Sequence, residues 1–387
     1  MKSTNNNMQK LSFTAFLLFQ LVFGQRAHSD TDRIISFPNI KGYKTLICDL
    51  HTHTVFSDGS VWPSIRVAEA NKDGLDAIAV TEHIEYQPYK EDIPHPDRNR
   101  SYDLTKKYAK KSELLVIAGT EITKSMPPGH SNAIFVKDVN KIMNDDYMKS
   151  YEAARKQGAF TFWNHPHWIG QRKDASVKVY EEVEELINKR LLHGIEVTNE
   201  RTYSDQAIQI ALDHDLTMIG TSDVHNLVDW DYKIPQGGHR PVTLVFSKRK
   251  DLKDLKRSLF QGRTVVWFKN ILIGKNEWIK PLIDASLTID SAGFYKDYEL
   301  GIVKIKNHSD ARFILKSKSP YDFYQHSDLV EIQPHSVKQL SIVSGKNISD
   351  FNLEFEVLNA IIAPSTHPTI TFSVRNIGNV ELKDVKF

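Results

Sequence analysis

The sequence predicts an α/β barrel followed by a small all-β sandwich domain, and two observations carry that reading. Between about residues 44 and 270, short apolar, β-branched runs alternate with longer stretches of helical periodicity, the signature of βα units around a parallel sheet. From about Lys280 the pattern changes to alternation with period two, broken by Asn, Ser, Asp, Gly and Pro, as in antiparallel strands of a sandwich. With 387 residues, 40% hydrophobic and 25% charged, the chain has the length and composition for two globular domains.

The first residues stand outside that fold. Lys2 and Lys10 flank a polar start, and residues 11–23 form an almost unbroken apolar run ending at Gly24-Gln25. The run is short for a membrane span and carries Gln20, so residues 1–24 read as a cleavable secretory signal, and the expected destination is periplasmic or extracellular. Cleavage would remove two of the 50 Lys and Arg residues and none of the 48 acids, taking the formal charge from +2 to zero. No nucleic-acid surface, anionic-membrane patch or membrane span after cleavage is expected. Cys48 is the only cysteine, which excludes an intramolecular disulfide, and its apolar strand makes it a small buried residue.

After a polar connector over residues 25–43, strands are predicted at 45–49, 77–81, 114–118, 132–136, 159–163, 194–198, 217–221 and 243–246. Helices are predicted at 62–72, with Pro63 near the start, and at 147–157, 177–189, 205–213 and 252–261. Alternation repeated this often favours a closed or nearly closed barrel, assigned to residues 44–278. The remainder, 279–387, contributes strand runs at 287–289, 301–305, 313–316, 339–343, 353–357 and 369–374, read as an independent sandwich.

Chemistry gathers at the strand ends. Asp49-Leu-His51-Thr-His53 follows the first strand, with Ser57-Asp58-Gly59 beyond it; Thr81-Glu82-His83 follows the second and Gly119-Thr-Glu121 the third. Gly129-His130 precedes the fourth, His165-Pro166-His167 follows the fifth, and Ser222-Asp223-Val-His225 follows a later one. Residues two apart in an extended chain share a face, so His51 and His53 can offer two imidazoles to one cation. Side chains at the C-terminal ends of barrel strands share one mouth, so ligands distant in sequence can build one site. Taken singly, His83 or His130 is an ordinary loop histidine, Glu121 a solvated acid and Asp223 a helix cap. Their joint occurrence at one predicted face points to metal.

These motifs, in this order, resemble the PHP superfamily, named for polymerase and histidinol phosphatase, over about residues 44–270. The resemblance implies a distorted (β/α)7 TIM-like barrel with up to three divalent metals hydrolysing phosphoesters. An exported barrel with a β-rich tail looks most like the bacterial phosphodiesterases called the Sb-PDE family. Carried over motif by motif, one metal would be held by His51, His53, Glu121 and Asp223. A second would share Glu121 and add His130 and His165, and a third would take Asp58, His83 and His225. Imidazoles and carboxylates without thiolates suit manganese first, then zinc or iron.

The function this implies is a secreted metal-dependent phosphodiesterase, acting on a small-molecule diester through a water deprotonated between two metals that share Glu121. Glu121 and Asp223 would serve catalysis as ligands, and His167 is a candidate to protonate the leaving group. Arg172, Arg201 and Arg240 could grip phosphoryl oxygens. Two alternatives stay open: a phosphomonoesterase acting on a nucleotide or sugar phosphate, and a non-catalytic metal-containing binding protein. Diesters are favoured because the arginines are scattered while Phe56, Trp62, Tyr86, Trp163, Trp168 and Tyr203 lie in or beside the ligand-bearing segments.

Overall fold

The computed structural model of the protein describes residues 33–295, 298–343, 350–375 and 379–380, so the signal expected over residues 1–24 lies outside the described residues. Among the described residues no helix is long and apolar enough to cross a membrane.

Eleven described strands belong to the barrel region: β1 (Lys44–Asp49), β2 (Ala77–Val80), β3 (Leu115–Ile122), β4 (Ser131–Ile134), β5 (Phe160–Trp163), β6 (Gly194–Asn199), β7 (Thr202–Tyr203), β8 (Thr217–Thr221), β9 (Val242–Ser247), β10 (Thr264–Phe268) and β11 (Ile271–Ile273). The described helices are α1 (Pro63–Lys72), α2 (Arg100–Ala109), α3 (Tyr147–Lys156), α4 (Glu181–Asn188), α5 (Asp205–Asp213), α6 (Val228–Tyr232), α7 (Leu252–Phe260) and α8 (Asn276–Ser286). Ser204 and Asp251 cap α5 and α7 by accepting the N–H of Ala207 and Asp254, which sets where those helices start.

The sheet curls in the order β9-β1-β2-β3-β4-β5-β6-β8. It is not all parallel. β4 runs against both β3 and β5, and β9 runs against β1. The reversal of β4 has a chemical consequence, because the start of an antiparallel strand opens where its parallel neighbours end. His130, just before β4, therefore comes to the same mouth as the residues that follow β1, β2 and β5. β3 is longer than the sequence suggests, so Glu121 lies inside it, opposite Asn132.

No ladder joins β8 to β9 among the described strands; threonine hydroxyls bridge the seam instead. Thr243 Oγ1 accepts the Gly220 N–H at 3.0 Å and donates to the Gly220 carbonyl at 2.8 Å, while Thr264 Oγ1 donates to the Met218 carbonyl at 2.8 Å. Gly220 permits this approach, since a Cβ there would stand 2.2 Å from Val266 Cγ1. At the mouth, Thr52 and Val224 form an isolated parallel bridge that draws the segments after β1 and β8 together.

Alternation along the strands divides the core. Leu46, Cys48 and Leu50 face inward with Ala77, Ala79, Ile117, Phe160, Phe162 and Ile219, and α7 adds Leu255 and Leu259. Cys48 has no exposed surface, and burial, followed by Asp76 and Asp49, raises its pKa well above the usual thiol value, as a structural residue requires.

The C-terminal part contains β12 (Leu287–Tyr295), β13 (Leu300–Asn307), β14 (Phe313–Ser317), β15 (Asp322–Phe323), β16 (Leu329–Ile332), β17 (Val337–Val343), β18 (Phe351–Val357), β19 (Ala360–Ile361), β20 (Thr369–Val374) and β21 (Asn379–Val380). They build one sheet ordered β15-β17-β13-β12-β21 and another ordered β16-β14-β18-β20. This part is joined to the barrel more closely than an independent sandwich would be. β19 pairs in parallel with β11, extending the barrel sheet, and Asn359 Nδ2 donates to the carbonyls of Asn270 and Arg312 at 3.0 and 2.9 Å. One buried cluster runs through Leu272, Ile279 and Leu282 on the barrel side and Phe313, Leu353 and Ala360 on the other.

Removing everything after Ser286 would open that shared core to water, at about 25 cal/mol per Å² of apolar surface. The fragment ending at Ser286 should lack a cooperative thermal transition, as followed by near-ultraviolet circular dichroism. A sharp transition with a native-like spectrum would show that the barrel stands alone.

Candidate metal centre

Nine side chains expected as ligands come from six segments to one mouth, around Glu121. Its carboxylate is fully buried on β3 and touches five imidazoles. Oε2 lies 2.6 Å from His83 Nδ1, 3.6 Å from His53 Nε2 and 3.7 Å from His51 Nε2. Oε1 lies 3.1 Å from His130 Nδ1 and 3.4 Å from His165 Nε2. Asp58, half-buried, completes the far side, with His225 Nε2 at 3.1 Å and His83 Nε2 at 3.4 Å. Asp223 and His165 hold their positions with left-handed backbone, at φ 48° and 27°, a conformation that Asp and His tolerate better than most residues and that often marks functional sites.

Hydrogen bonds settle the tautomers. Glu196 is a carboxylate, so His51 Nδ1 must donate to it, at 2.9 Å. Ser57 Oγ donates to Glu82 at 2.5 Å, so it accepts from His53 Nδ1 at 3.1 Å. Both Nε2 atoms are left with lone pairs, and they face each other at 3.0 Å, each 3.1 Å from Asp223 Oδ1. Three lone pairs converging in a buried space repel unless positive charge stands between them, so this donor set fits a divalent cation. Oδ1 of Asp58, Oε2 of Glu121 and Oδ1 of Asp223 are buried and accept no well-formed hydrogen bond, which is the same fit seen from the acidic side. Three groupings could each hold an ion: His51 with His53 and Asp223; His83 with Glu121 and His130; and His53, Asp58, His83 and His225.

Where no cation stands among these groups, the same carboxylates draw protons onto some of the imidazoles instead. Burial opposes a charge on His51, but Asp223, Glu196 and Glu121 outweigh it and hold its pKa well above the usual histidine value. Burial resists charge on His83 as well, and Glu121 and Asp58 still raise it to about 11. His53 goes the other way: burial, His225 and His83 push it down to about 3. Despite burial, His51 holds Asp223 and His83 holds Glu121 far below the carboxylate range. The pocket is built to hold carboxylates as anions with cations among them.

A second layer, unforeseen from sequence, holds the ligands. Glu196, fully buried in the middle of β6, accepts from His51 and from Thr221 Oγ1 (2.6 Å) on one oxygen, and from the His165 N–H (2.7 Å) and Asn199 Nδ2 (2.9 Å) on the other. The available signal was a lone acid inside an apolar strand. Glu82 accepts from Thr54, Ser57 and Ser101, fixing the segment that carries His53. Asn164 Nδ2 donates to Glu121 Oε1 at 2.8 Å. Arg66, buried on α1, donates to the carbonyls of His53, Val224 and Asn226 and pairs with Glu69 at 2.7 Å, so one guanidinium ties both metal-side segments.

The three arginines expected to grip phosphate do other work. Arg240 is 1% exposed and bridges Asp49 and Asp73 at 3.1 and 2.6 Å, a buried triad whose Asp49 also accepts from Ser222, just before Asp223. It cannot reach a substrate, and its role is to hold that segment. Arg172 is engaged by Asp174, Ser176 and Tyr180 within its own loop. Arg201 is exposed and donates to the Asp231 carbonyl at 2.6 Å. His167 is buried with neither ring nitrogen hydrogen-bonded, and burial, joined by His165 and opposed by Glu196, lowers its pKa. Among the aromatic residues, Trp163 and Phe56 are buried and Trp62 packs on Phe56, whereas Tyr86 and Trp168 remain exposed beside the centre.

A barrel whose mouth gathers imidazoles and carboxylates around a central acid defines a metallohydrolase-type centre. Comparison with known proteins narrows this. A family model described as an Ig-like domain matches residues 287–373. The crystal structure of a two-domain protein from Bacteroides vulgatus, described as containing a predicted PHP-like metal-dependent phosphoesterase, is 39% identical, with TM-score 0.83, 91% of this chain and 100% of that chain covered. This chain belongs to the PHP-like metal-dependent phosphoesterase family. PsfC from Pseudomonas syringae is similar at 18% identity and TM-score 0.41, over 58% of this chain and 92% of that one. An uncharacterized protein of Methanocaldococcus jannaschii is 39% identical over 82 residues, 21% of this chain; the match spans about a third (34%) of that curated relative's length.

Glu196→Gln tests the second layer, because an amide cannot accept from His51 and from the His165 N–H without turning its NH2 toward one of them. Metal affinity should fall roughly 10- to 100-fold with the circular dichroism spectrum unchanged. Affinity equal to wild type in a competitive chelator titration would show that Glu196 merely packs.

Proposed function

We propose that the protein is an exported, metal-dependent phosphodiesterase with a trinuclear centre acting on a small-molecule diester. The observation that carries this reading is the gathering of nine nitrogen- and oxygen-bearing side chains with Glu121 at their centre, three of their carboxylate oxygens buried and accepting no well-formed hydrogen bond. His51, His53 and Asp223 would hold one ion, with Glu121 shared between it and a second that takes His130 and His165; Asp58, His83 and His225 would hold a third. The absence of thiolate favours manganese, then zinc or iron. When bound, such ions acidify water and neutralise charge developing on phosphoryl oxygen. The chain's own contribution is position: Glu196, Glu82 and Arg66 hold the ligands so that little rearrangement accompanies reaction.

Diesters are favoured over monoesters by the fate of the arginines. A monoester carries nearly two negative charges at neutral pH and gains more from fixed cations, yet Arg172 and Arg240 are committed to Asp174, Asp49 and Asp73. Export is supported by Lys2, Lys10 and the apolar run at 11–23. The catalytic unit is assigned to residues 44–278 and the β-rich unit to 279–387, the latter as a structural partner of the former.

Two measurements test the reading. Full-length protein prepared with manganese should hold two to three equivalents by mass spectrometry, and Glu121→Ala should lose at least one of them and lower kcat at least about a hundredfold. Near-wild-type metal content and turnover would refute the centre. Separately, kcat/KM should be higher for an aryl phosphodiester than for the matching monoester at equal manganese loading; the reverse order would make this a monoesterase with the same ligands.

A further inference from the structure

Trp168 is an indole left 47% exposed and nevertheless held in place. Its ring lies 5.3 Å from that of His165 at 66° and 5.8 Å from that of His130 at 48°. The backbone N–H of Trp168 donates to the His165 carbonyl at 2.8 Å, and its carbonyl accepts from the backbone N–H groups of Gln171 and Arg172 at 3.0 and 2.9 Å, so the turn that carries it is pinned to the ligand segment. Gly170 supplies the seat: a Cβ there would stand 2.5, 2.7 and 2.8 Å from three atoms of the indole, so any other residue would displace the ring. A tryptophan exposed by chance has no need of such a seat.

Tyr86 stands at the other end of the same row. It is 52% exposed and meets the His83 ring at 5.9 Å and 69°, and the His83 and His130 rings are 5.6 Å apart. Two water-facing rings thus flank the pair of imidazoles that touch Glu121. A ligand whose phosphate sat at the centre would present its ester groups to this row, and a flat group on Trp168 would cover apolar surface that now faces water.

We propose that Trp168, seated on Gly170 and opposed by Tyr86, forms an aromatic subsite that selects phosphodiesters carrying a planar ring, aryl or nucleobase, as one ester group. The inference rests on the phosphodiesterase reading, and its test separates the two. Binding of diphenyl phosphate and of dimethyl phosphate to manganese-loaded full-length protein is compared by calorimetry, beside turnover of phenyl 4-nitrophenyl phosphate. Wild type should bind the diphenyl ester more tightly. Trp168→Ala should weaken that binding, and raise KM for the phenyl substrate, about five- to tenfold, with the dimethyl ester, kcat and metal content little changed. Gly170→Ala should reproduce the loss by moving the ring without deleting it, and Tyr86→Ala should give a smaller loss in the same direction. Equal affinity of wild type for the two diesters, or unchanged diphenyl binding in both Trp168→Ala and Gly170→Ala, would overturn the subsite. Ring-selective binding that is lost in Trp168→Ala, in a wild type that does not hydrolyse the phenyl substrate, would uphold the subsite and refute the phosphodiesterase reading.

Discussion

A carboxylate with no exposed surface, Glu121, stands within 3.7 Å of five imidazoles, and the mouth of the barrel is arranged around keeping it charged. An isolated buried anion is costly, so the group persists only where cations or strong donors surround it. Here His83 and His130 lead that compensation against burial, and the carboxylate is held far below its ordinary range. Much of the local architecture follows. β3 extends to carry Glu121 into the mouth, β4 reverses to bring His130 to it, and the strained backbone at His165 and Asp223 turns their side chains inward.

Holding many lone pairs together requires a frame that does not relax, and the frame consists of charges buried in pairs. Arg66 with Glu69, and Arg240 with Asp49 and Asp73, stitch the segments after β1 and β8 from below. Removing one partner of such a pair typically costs about 3–5 kcal/mol, because the other is left buried and uncompensated. These arginines are therefore part of the centre's rigidity rather than of its contact with substrate. With these arginines committed, the exposed side chains beside the centre include the rings of Tyr86 and Trp168.

The β-rich part belongs to the same physical unit. Its β19 edge continues the barrel sheet, and its Phe313 and Leu353 share a cluster with Leu272 and Leu282. A sheet edge left bare is a liability, and pairing β11 with β19 removes one.

The sequence alone determined the strand-helix alternation, the later change to period two, and the order of ligand motifs, because each is local: a ligand at a strand end is legible where an apolar run stops. His51, His53, His83, Asp223 and His225 could be read in this way. Only the tertiary structure decided what depends on residues far apart meeting. Glu196 supports His51 across 145 positions, and Arg240 reaches Asp49 across 191. An acid inside an apolar strand, or an arginine after one, looks the same in sequence whether it faces solvent, substrate or a buried partner. Strand direction was hidden for the same reason, since the alternation that marks β4 is identical read in either direction. The closure of the barrel by threonine hydroxyls, and the joining of the tail to its sheet, were likewise set by which surfaces could be buried together, which no single segment encodes.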